Sequence, residues 1–391
     1  MRERWFSAKA PPQHFWRGTA SCRPVALDVR IIGGGFAGAV TALTLMGTTD
    51  ASLTIYEREH APYTTLCGEG ISDDTLRAFA AFDSKPFIAE SFDEVSWFFP
   101  RDTEVRIHQR GHTMARERWV PAMMEEAQRR GASVKFGTKV TPDVVREFSR
   151  EADLVIGCDG PGSVTRQVVG GAHQTMLGIQ YRIAREGCPR VPERLEFYTD
   201  KTFSEEYSWV FPRGDIINVG LLAAGDGDDW DRLDAFCKQK NVAGKRLKRE
   251  AYPIGFFGTK VQAGNVVLVG DSAGLTNPIT KGGMAAVVHA AKLLAECVRE
   301  EKLSEYGGRL ARHPLMEPSF APALAALRRW TNDEYAALTK HAPDVIHVRP
   351  GASTQRRYAW PLMRAFAANP SKVHDIRTVA KAMGVSRRYS W

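Results

Sequence analysis

Apolar positions change their spacing along this chain in a way that lays out its elements. A β-rich run at Val29, Ile31 and Ile32 ends in glycines and opens into Phe36–Met46, which predicts a helix. Ser52–Glu57 predicts a second strand ending in an acid. A loop over Arg58–Ser72 follows, containing CGEGIS, and then a helix over Asp73–Phe82. Val95–Pro100 and Glu104–Gln109 alternate as strands do. Trp119, Val120, Met123, Met124 and Ala127 keep one helical face within Arg116–Gly131, with Gly131 as a C-cap. Ala132–Val140 predicts a further strand, and Asp153–Asp159 (DLVIGCD) a short apolar one running into GPGS.

The pattern then changes. Gly178–Arg185, Arg194–Thr199, Tyr207–Pro212 and Asp215–Ala223 read as short strands joined by turns, the signature of an antiparallel sheet. Trp230–Gln239 is helical. Asn265–Gly270 (NVVLVG) has the unbroken apolarity of a buried parallel strand and leads through DSAG to a helix over Gly283–Arg299. From Glu317 onward the chain reads as helical with Pro and Gly breaks. The expected architecture is α/β: a Rossmann-like dinucleotide-binding domain in two pieces (28–170 and 258–300), an inserted antiparallel-sheet substrate domain (171–257) and a basic helical C-terminal region (301–391). Residues 1–27 form a basic arm without an apolar segment of the kind a secretory signal needs.

Length and composition agree with this picture. A chain of 391 residues, 43% apolar and 25% charged, can bury more than one core. No apolar run approaches the ~20 residues that span a bilayer. The six cysteines include no C-x-x-C pair, which argues against a zinc site or disulfide framework and fits a reducing, cytoplasmic setting. The net charge of +8 is uneven: Arg349 to Trp391 holds nine Arg or Lys and one acid, Asp375. Such a patch draws phosphates of any kind, from nucleic acid, an anionic membrane surface met peripherally, or a phosphorylated substrate, or simply forms a solvated face. Ile376–Arg388 superficially resembles the turn of a DNA-binding helix-turn-helix, but too few residues follow to form a recognition helix, and no nucleic-acid partner is expected.

Four segments fit one cofactor. Gly33, Gly35 and Gly38 have the G-x-G-x-x-G spacing between strand and helix, and Glu57 stands nineteen residues after Gly38, where a ribose-binding carboxylate belongs. Arg116 begins a helix, where its guanidinium can meet a phosphate or ribityl chain. A strand delivers Asp159 and Gly160 to a tight turn. The last, NVVLVGDSAGLTNPITKGGM, ends a strand in Gly270 and Asp271, and its Gly282–Gly283 pair opens a helix. An N-terminus there stabilises negative charge at the N1–O2 edge of a flavin.

These motifs resemble the FAD-dependent enzymes with the para-hydroxybenzoate hydroxylase-like fold. Within them, CGEGIS (Cys67–Ser72) and YSWVFP (Tyr207–Pro212) resemble the geranylgeranyl reductase family, whose archaeal members saturate digeranylgeranylglycerophospholipids. The resemblance spans roughly Asp28 to Arg299. It implies FAD as cofactor, with Ala37 and its neighbouring glycines at the pyrophosphate and Glu57 at the adenosine ribose. It also implies Cys67, Gly68 and Gly70 along the flavin, the Val140 backbone beside the adenine, Arg116 on the polar chain, Asp271 on the ribityl or phosphate, and Gly283 and Met284 offering amides to the ring, with Arg58 and Asp159 among the cofactor-binding residues. Where family members often carry glycine, this chain has Lys281, which either adds charge beside the flavin or points to solvent.

The resemblance further implies an isoprenoid or lipid substrate and an outside electron donor, NAD(P)H, ferredoxin or another reductant. Tyr207, Trp209 and Phe211 alternate onto one strand face, which is either an aromatic core or the wall of the isoprenoid cavity. Cys67 is either a small buried hydrophobe or a proton donor or redox partner beside the flavin. Glu69 either assists it or caps a turn. The candidate catalytic residues are therefore Cys67, Glu69, Tyr207 and Trp209. His60 and His112 read as surface residues. The rival reading is a monooxygenase or halogenase of the same fold. Flavin-dependent halogenases carry a similar W-x-W-x-I-P pattern, but Tyr207 replaces its first Trp and Phe211 its Ile, which favours the reductase.

Overall fold

The computed structural model describes residues 26–61, 67–348, 363, 364, 367 and 369–389. Most of the expected N-terminal arm, and Arg349, Arg356 and Arg357 of the basic C-terminal region, lie outside these residues.

Strand β1 (Leu27–Ile32), helix α1 (Phe36–Met46) and β2 (Ala51–Tyr56) form the opening βαβ unit, with β1 and β2 parallel and in register from Leu27↔Ala51 to Ile32↔Tyr56. Next come β3 (Gly70–Ser72), α2 (Asp73–Ala78) and the long hairpin β4 (Ile88–Phe99) and β5 (Thr103–Met114). Helix α3 (Arg116–Arg129), β6 (Ser133–Lys135), α4 (Pro142–Glu151), β7 (Leu154–Gly157) and α5 (Val164–Val169) complete the first part. The middle of the chain supplies β8 (Gln174–Ala184), β9 (Leu195–Tyr198), β10 (Ser208–Arg213), β11 (Ile216–Leu222), α6 (Asp229–Gln239) and β12 (Arg246–Phe256). The chain then returns through β13 (Gln262–Ala263), β14 (Val266–Leu268) and α7 (Met284–Arg299). It ends with α8 (Tyr306–Ala311), α9 (Phe320–Arg329), α10 (Asn332–Thr339), β15 (Val345–His347) and α11 (Val373–Arg388).

Two sheets result. The first has the order β13-β14-β7-β1-β2-β6, parallel except for β13. Its central strands are buried, and α1 is apolar nearly all round because it lies between this sheet and its neighbours α3 and α7. Alanines 286, 290 and 291 on α7 are fully buried, and such small residues allow close helix approach. The second sheet has nine strands, in the order β12-β8-β11-β10-β9-β4-β5-β15, with β3 paired to β5. Segment 171–257 supplies β8 to β12. The sheet also takes β3, β4 and β5 from within 28–170, and β15.

Alternation gives the second sheet two different faces. Val210 and Val219 join Leu233 and Phe236 of α6 in one cluster, whereas Tyr207, Trp209 and Phe211 join Phe92, Leu195 and Leu222 on the opposite side. The C-terminal helices α9 and α11 pack through Phe320, Ala323 and Ala382.

Several expectations are corrected. The strand expected over Ala132–Val140 is only Ser133–Lys135, because Gly137 turns at φ +66° and Thr138–Val140 is a loop. Helix α4 follows at once, started by the Thr141 hydroxyl cap and Pro142 in the first turn. The C-terminal stretch is interrupted by β15, which pairs with β5. Ile376–Arg388 lies inside one continuous helix, with no helix-turn-helix turn. His112 is 2% exposed, not on the surface; its ring bonds Ser91 Oγ at 2.8 Å and Asp73 at 3.1 Å.

Candidate functional site

One cleft of about 710 Å³ runs from Glu57 and Thr138–Val140, past the glycine turn, to the aromatic face of the second sheet. Its first part is built from the β1–α1 turn. Gly33 turns at φ +102°, and a Cβ there would stand 2.4 Å from the Cys158 carbonyl oxygen; at Gly38 a Cβ would stand 2.0 Å from Gly33 O. No other residue fits either place. A Cβ on Gly35, by contrast, would meet nothing within 4 Å. Gly35 also caps α1 without a side-chain bond, and the first turn carries no acid, so its amides face the cleft uncompensated. That is an anion cradle.

Glu57 is 5% exposed. Its carboxylate accepts from Gly34 N at 2.6 Å and Glu59 N at 2.9 Å, so it braces the glycine turn. Arg58, exposed, pairs with Glu59. Val140 lines the cleft beside Thr138 and Lys139, as loop and not as a strand end. Arg116 is buried over the Phe36 ring, and its Nε has no partner among the described residues. A buried guanidinium nitrogen without an acceptor is costly unless a ligand supplies one.

Asp271 accepts from Thr276 Oγ1 at 2.7 Å through one oxygen. Burial raises its pKa, opposed by that bond and by Arg116. Helix α7 begins at Gly283 and Met284 with no side-chain cap and no acid in its first turn, and both residues line the cleft. Asp159 differs from the expectation for it. Its two carboxylate oxygens accept from Ser163 Oγ (2.6 Å) and from Thr165 N and Oγ1 (3.1 Å each), so the side chain organises the start of α5 and leaves the turn's backbone to the cleft.

The CGEGIS loop is pinned from below. Gln180 Nε2 donates to Cys67 O, Asn218 Nδ2 to Gly68 O, and Met114 N to Glu69 O. Glu69, at φ +66° and 1% exposed, sits between Arg213 (2.7 Å) and Arg182 (3.3 Å) and accepts from Asn218. Burial raises its pKa while the two arginines pull it down. Its carboxylate is thus committed to anchoring the loop. Cys67 lies in the cleft wall with Sγ accepting from Glu69 N at 3.2 Å. Gly68 and Gly70 lie against the Phe211 ring, where a Cβ would stand 3.0 and 3.3 Å away.

Past this loop the cleft becomes an aromatic chamber. Phe197 meets Trp97 (5.1 Å between centroids), Tyr207 (5.6 Å) and Phe211 (4.9 Å). Tyr207 donates to Thr280 O at 2.6 Å and Trp209 Nε1 to Gln180 Oε1 at 3.4 Å, so their polar atoms are engaged. Burial raises the Tyr207 pKa well above its usual value. Trp97 and Phe197 were not anticipated as site residues: alternation puts Val95 and Trp97 on one face of a strand, but only the pairing of β4 with β9 brings that face and Phe197 to the cleft. Lys281 neither points to solvent nor stands as a bare charge. Its side chain is 2% exposed and its Nζ lies 2.6 Å from Glu206, which Arg328 holds from the other side.

The FAD binding domain family matches residues 26–181. A digeranylgeranylglycerophospholipid reductase of Methanosarcina acetivorans is 26% identical over 309 residues, covering 70% of this chain and 75% of that protein. Among solved structures, a geranylgeranyl bacteriochlorophyll reductase-like protein from Thermoplasma acidophilum shares the fold. Its TM-score is 0.73 at 18% identity, over 92% of this chain and 99% of that one. The flavin-dependent halogenase CmlS shares it more distantly, with a TM-score of 0.62 at 18% identity over 92% and 78%.

The fold and the cleft define an FAD-dependent oxidoreductase. Within that class, the curated relatives of similar sequence are digeranylgeranylglycerophospholipid reductases, which agrees with the resemblance carried by CGEGIS and YSWVFP.

Proposed function

We propose that this oxidoreductase saturates C=C bonds of an isoprenoid chain of the geranylgeranyl type. The observation that carries the reading is the aromatic chamber continuous with the cofactor groove. An isolated alkene offers no polar handle, so catalysis must rest on position and on exclusion of water. Trp97, Phe197, Tyr207, Trp209 and Phe211 supply a wall that grips a hydrocarbon and presents no free hydrogen-bonding group to it.

The amides of the Gly33–Gly38 turn and of α1 would hold the pyrophosphate, and Arg116 and Asp271 the polar chain. The N-terminus of α7 at Gly283 and Met284 would meet the ring. The orphan Nε of Arg116 and the open space over Gly35 fit these roles. The chemistry that bound FAD would supply, once reduced by an outside donor, is a hydride for one alkene carbon. Cys67, whose thiol lies in the cleft wall, supplies the proton for the other. Glu69 positions Cys67 by fixing the loop. No helix among the described residues is long and apolar enough to cross a membrane.

The test is mass spectrometry of lipids and quinones after expression in a host supplied with unsaturated isoprenoids. Gains in steps of two hydrogens are expected. No gain, or a gain of oxygen, overturns the proposal, the latter in favour of a monooxygenase.

A further inference from the structure

Cross-strand register lines up two rows of residues on the chamber face of the second sheet. The first runs through Glu250, Gln180, Gly220, Trp209 and Phe197, each directly opposite the next. The second, two residues along, runs through Lys248, Arg182, Asn218 and Phe211. Residues directly opposite one another share a face. In both rows the β12 end is polar and the other end aromatic. The CGEGIS loop lies over the change from one to the other: Cys67 O meets Gln180, Glu69 meets Arg182 and Asn218, and Gly68 and Gly70 meet the Phe211 ring.

Gln180 stands at that change in the first row and is 0% exposed. Its Nε2 donates to Glu250 at 2.8 Å and to Cys67 O at 3.2 Å, while its Oε1 accepts from Trp209 Nε1 at 3.4 Å. A carboxylate only accepts, so Glu250 decides which way the amide faces and leaves the oxygen for the indole. Glu250 is itself held by Arg182 at 3.0 Å and Lys248 at 2.8 Å. Gly220, next in the row, makes room for the indole, since a Cβ there would stand 2.2 Å from a Trp209 ring carbon. The Nε1 edge then reaches the loop, where a Cβ on Gly68 would stand 3.5 Å from it. One buried amide thus joins a wall of the chamber to the residue that carries the thiol.

We infer that Gln180 is a positioning residue: by tying Trp209 to the Cys67 carbonyl, it sets the reach from the thiol to a hydrocarbon held in the chamber. This rests on the reading of Cys67 as the proton donor to an isoprenoid alkene and adds what aims it. Glu69 ties the loop to charged side chains, whereas Gln180 ties it to the wall that meets the substrate. An alkene has no polar group with which to correct a misplaced donor, and a displacement of about 1 Å can cost a large factor in rate.

The test compares wild type with three variants. Gln180→Met keeps the length of the side chain and loses all three bonds. Gln180→Glu keeps its shape and the acceptor for Trp209, and decides the matter where the methionine variant does not fold. Tyr181→Phe is the control, removing a bond to Asp234 on the opposite face of the same strand. The FAD-loaded full chain is reduced with dithionite without oxygen and mixed, in water and in deuterium oxide, with geranylgeraniol or digeranylgeranylglycerol phosphate, whichever reoxidises wild type faster. In parallel, the oxidised holoprotein is treated with iodoacetamide, and Cys67 is followed by peptide mass spectrometry. The Gln180 variants are expected to slow flavin reoxidation about tenfold or more at saturating alkene, with a larger solvent isotope effect and an unchanged half-saturating concentration. Cys67 is expected to be alkylated about fivefold faster in them, as a loop short of one hydrogen bond opens more often. Tyr181→Phe is expected to match wild type in both. Either readout at its wild-type value in the Gln180 variants overturns the inference and leaves the isoprenoid reading standing, and so does an equal change in all three variants. A wild type whose reduced flavin neither alkene reoxidises overturns the isoprenoid reading and the inference with it.

Discussion

Replacing Lys281 with methionine removes an ammonium group while keeping an unbranched stem. In the native chain residue 281 adopts φ +54°, and its buried ammonium lies between Glu206 and the face of Phe256. Burial is the largest influence on it and outweighs the attraction of Glu206, so its pKa falls from 10.5 to about 8. At ~1.4 kcal/mol per pH unit this corresponds to on the order of 3 kcal/mol of disfavour for the charged form. In the unfolded chain the amine keeps its proton up to about pH 10.5, whereas in the fold it releases it near 8. Between those values the unfolded state binds more protons, so stability rises with pH; below about 8 both states are protonated and the cost is fully present. Urea unfolding of wild type and Lys281→Met at fixed ionic strength measures this. The difference between the two is expected to be level from pH 7 to 7.5, then to move in favour of wild type by about 2 to 3 kcal/mol toward pH 10.5. A difference that stays level, or moves the other way, refutes the argument that Lys281 is held desolvated.

Arg116→Ala removes the orphan guanidinium and is expected to weaken FAD binding to the apoprotein about tenfold or more, as charge-assisted bonds are worth roughly 1.5–3 kcal/mol. Exposed Arg118→Ala serves as the control in the same fluorescence titration. Glu69→Ala leaves Arg182 and Arg213 without their shared buried carboxylate and is expected to cost about 3–5 kcal/mol in denaturant unfolding. A variant of unchanged stability but abolished turnover would instead make Glu69 a chemical participant. Asn277→Ala removes the bond to Ser386 and the acceptor for Ile279 N and Thr280 N, so proteolysis is expected to begin in the segment containing α11, with unchanged cleavage refuting that tether.

The cofactor half was legible because its chemistry is local. At Gly33 and Gly38 a Cβ has nowhere to go, while the space over Gly35 is open. A strand that ends in Gly270 and Asp271 before an uncapped helix is equally short-range. The chamber was half legible: alternation placed Tyr207, Trp209 and Phe211 on one face, but nothing near them in sequence reveals that Phe197 and Trp97 complete it across β9 and β4. Strand β12 escaped notice because RLKREAY is polar on both faces, as an edge strand can be. The engagements of Asp159 and Glu69 were not legible for different reasons of distance: the groups that occupy Asp159 lie four and six residues on, while those that occupy Glu69 come from β8, β10 and β11.

Lys281 and the C-terminal helix are linked by the same loop, and no periodicity in sequence could have joined them. Residues 277–283 lead into the N-terminus of α7, so their geometry sets where that helix points. Three parts of the chain hold them: Glu206 and Tyr207, just before β10, bind Lys281 and Thr280, Arg328 of α9 backs Glu206, and Ser386 of α11 meets Asn277. The aromatic strand, the N-terminus of α7 and helix α11 therefore share one joint. A glycine at 281 would satisfy the backbone at lower conformational cost. It would also release Glu206 from the loop, leaving Tyr207 alone to hold the aromatic strand against the mouth of α7.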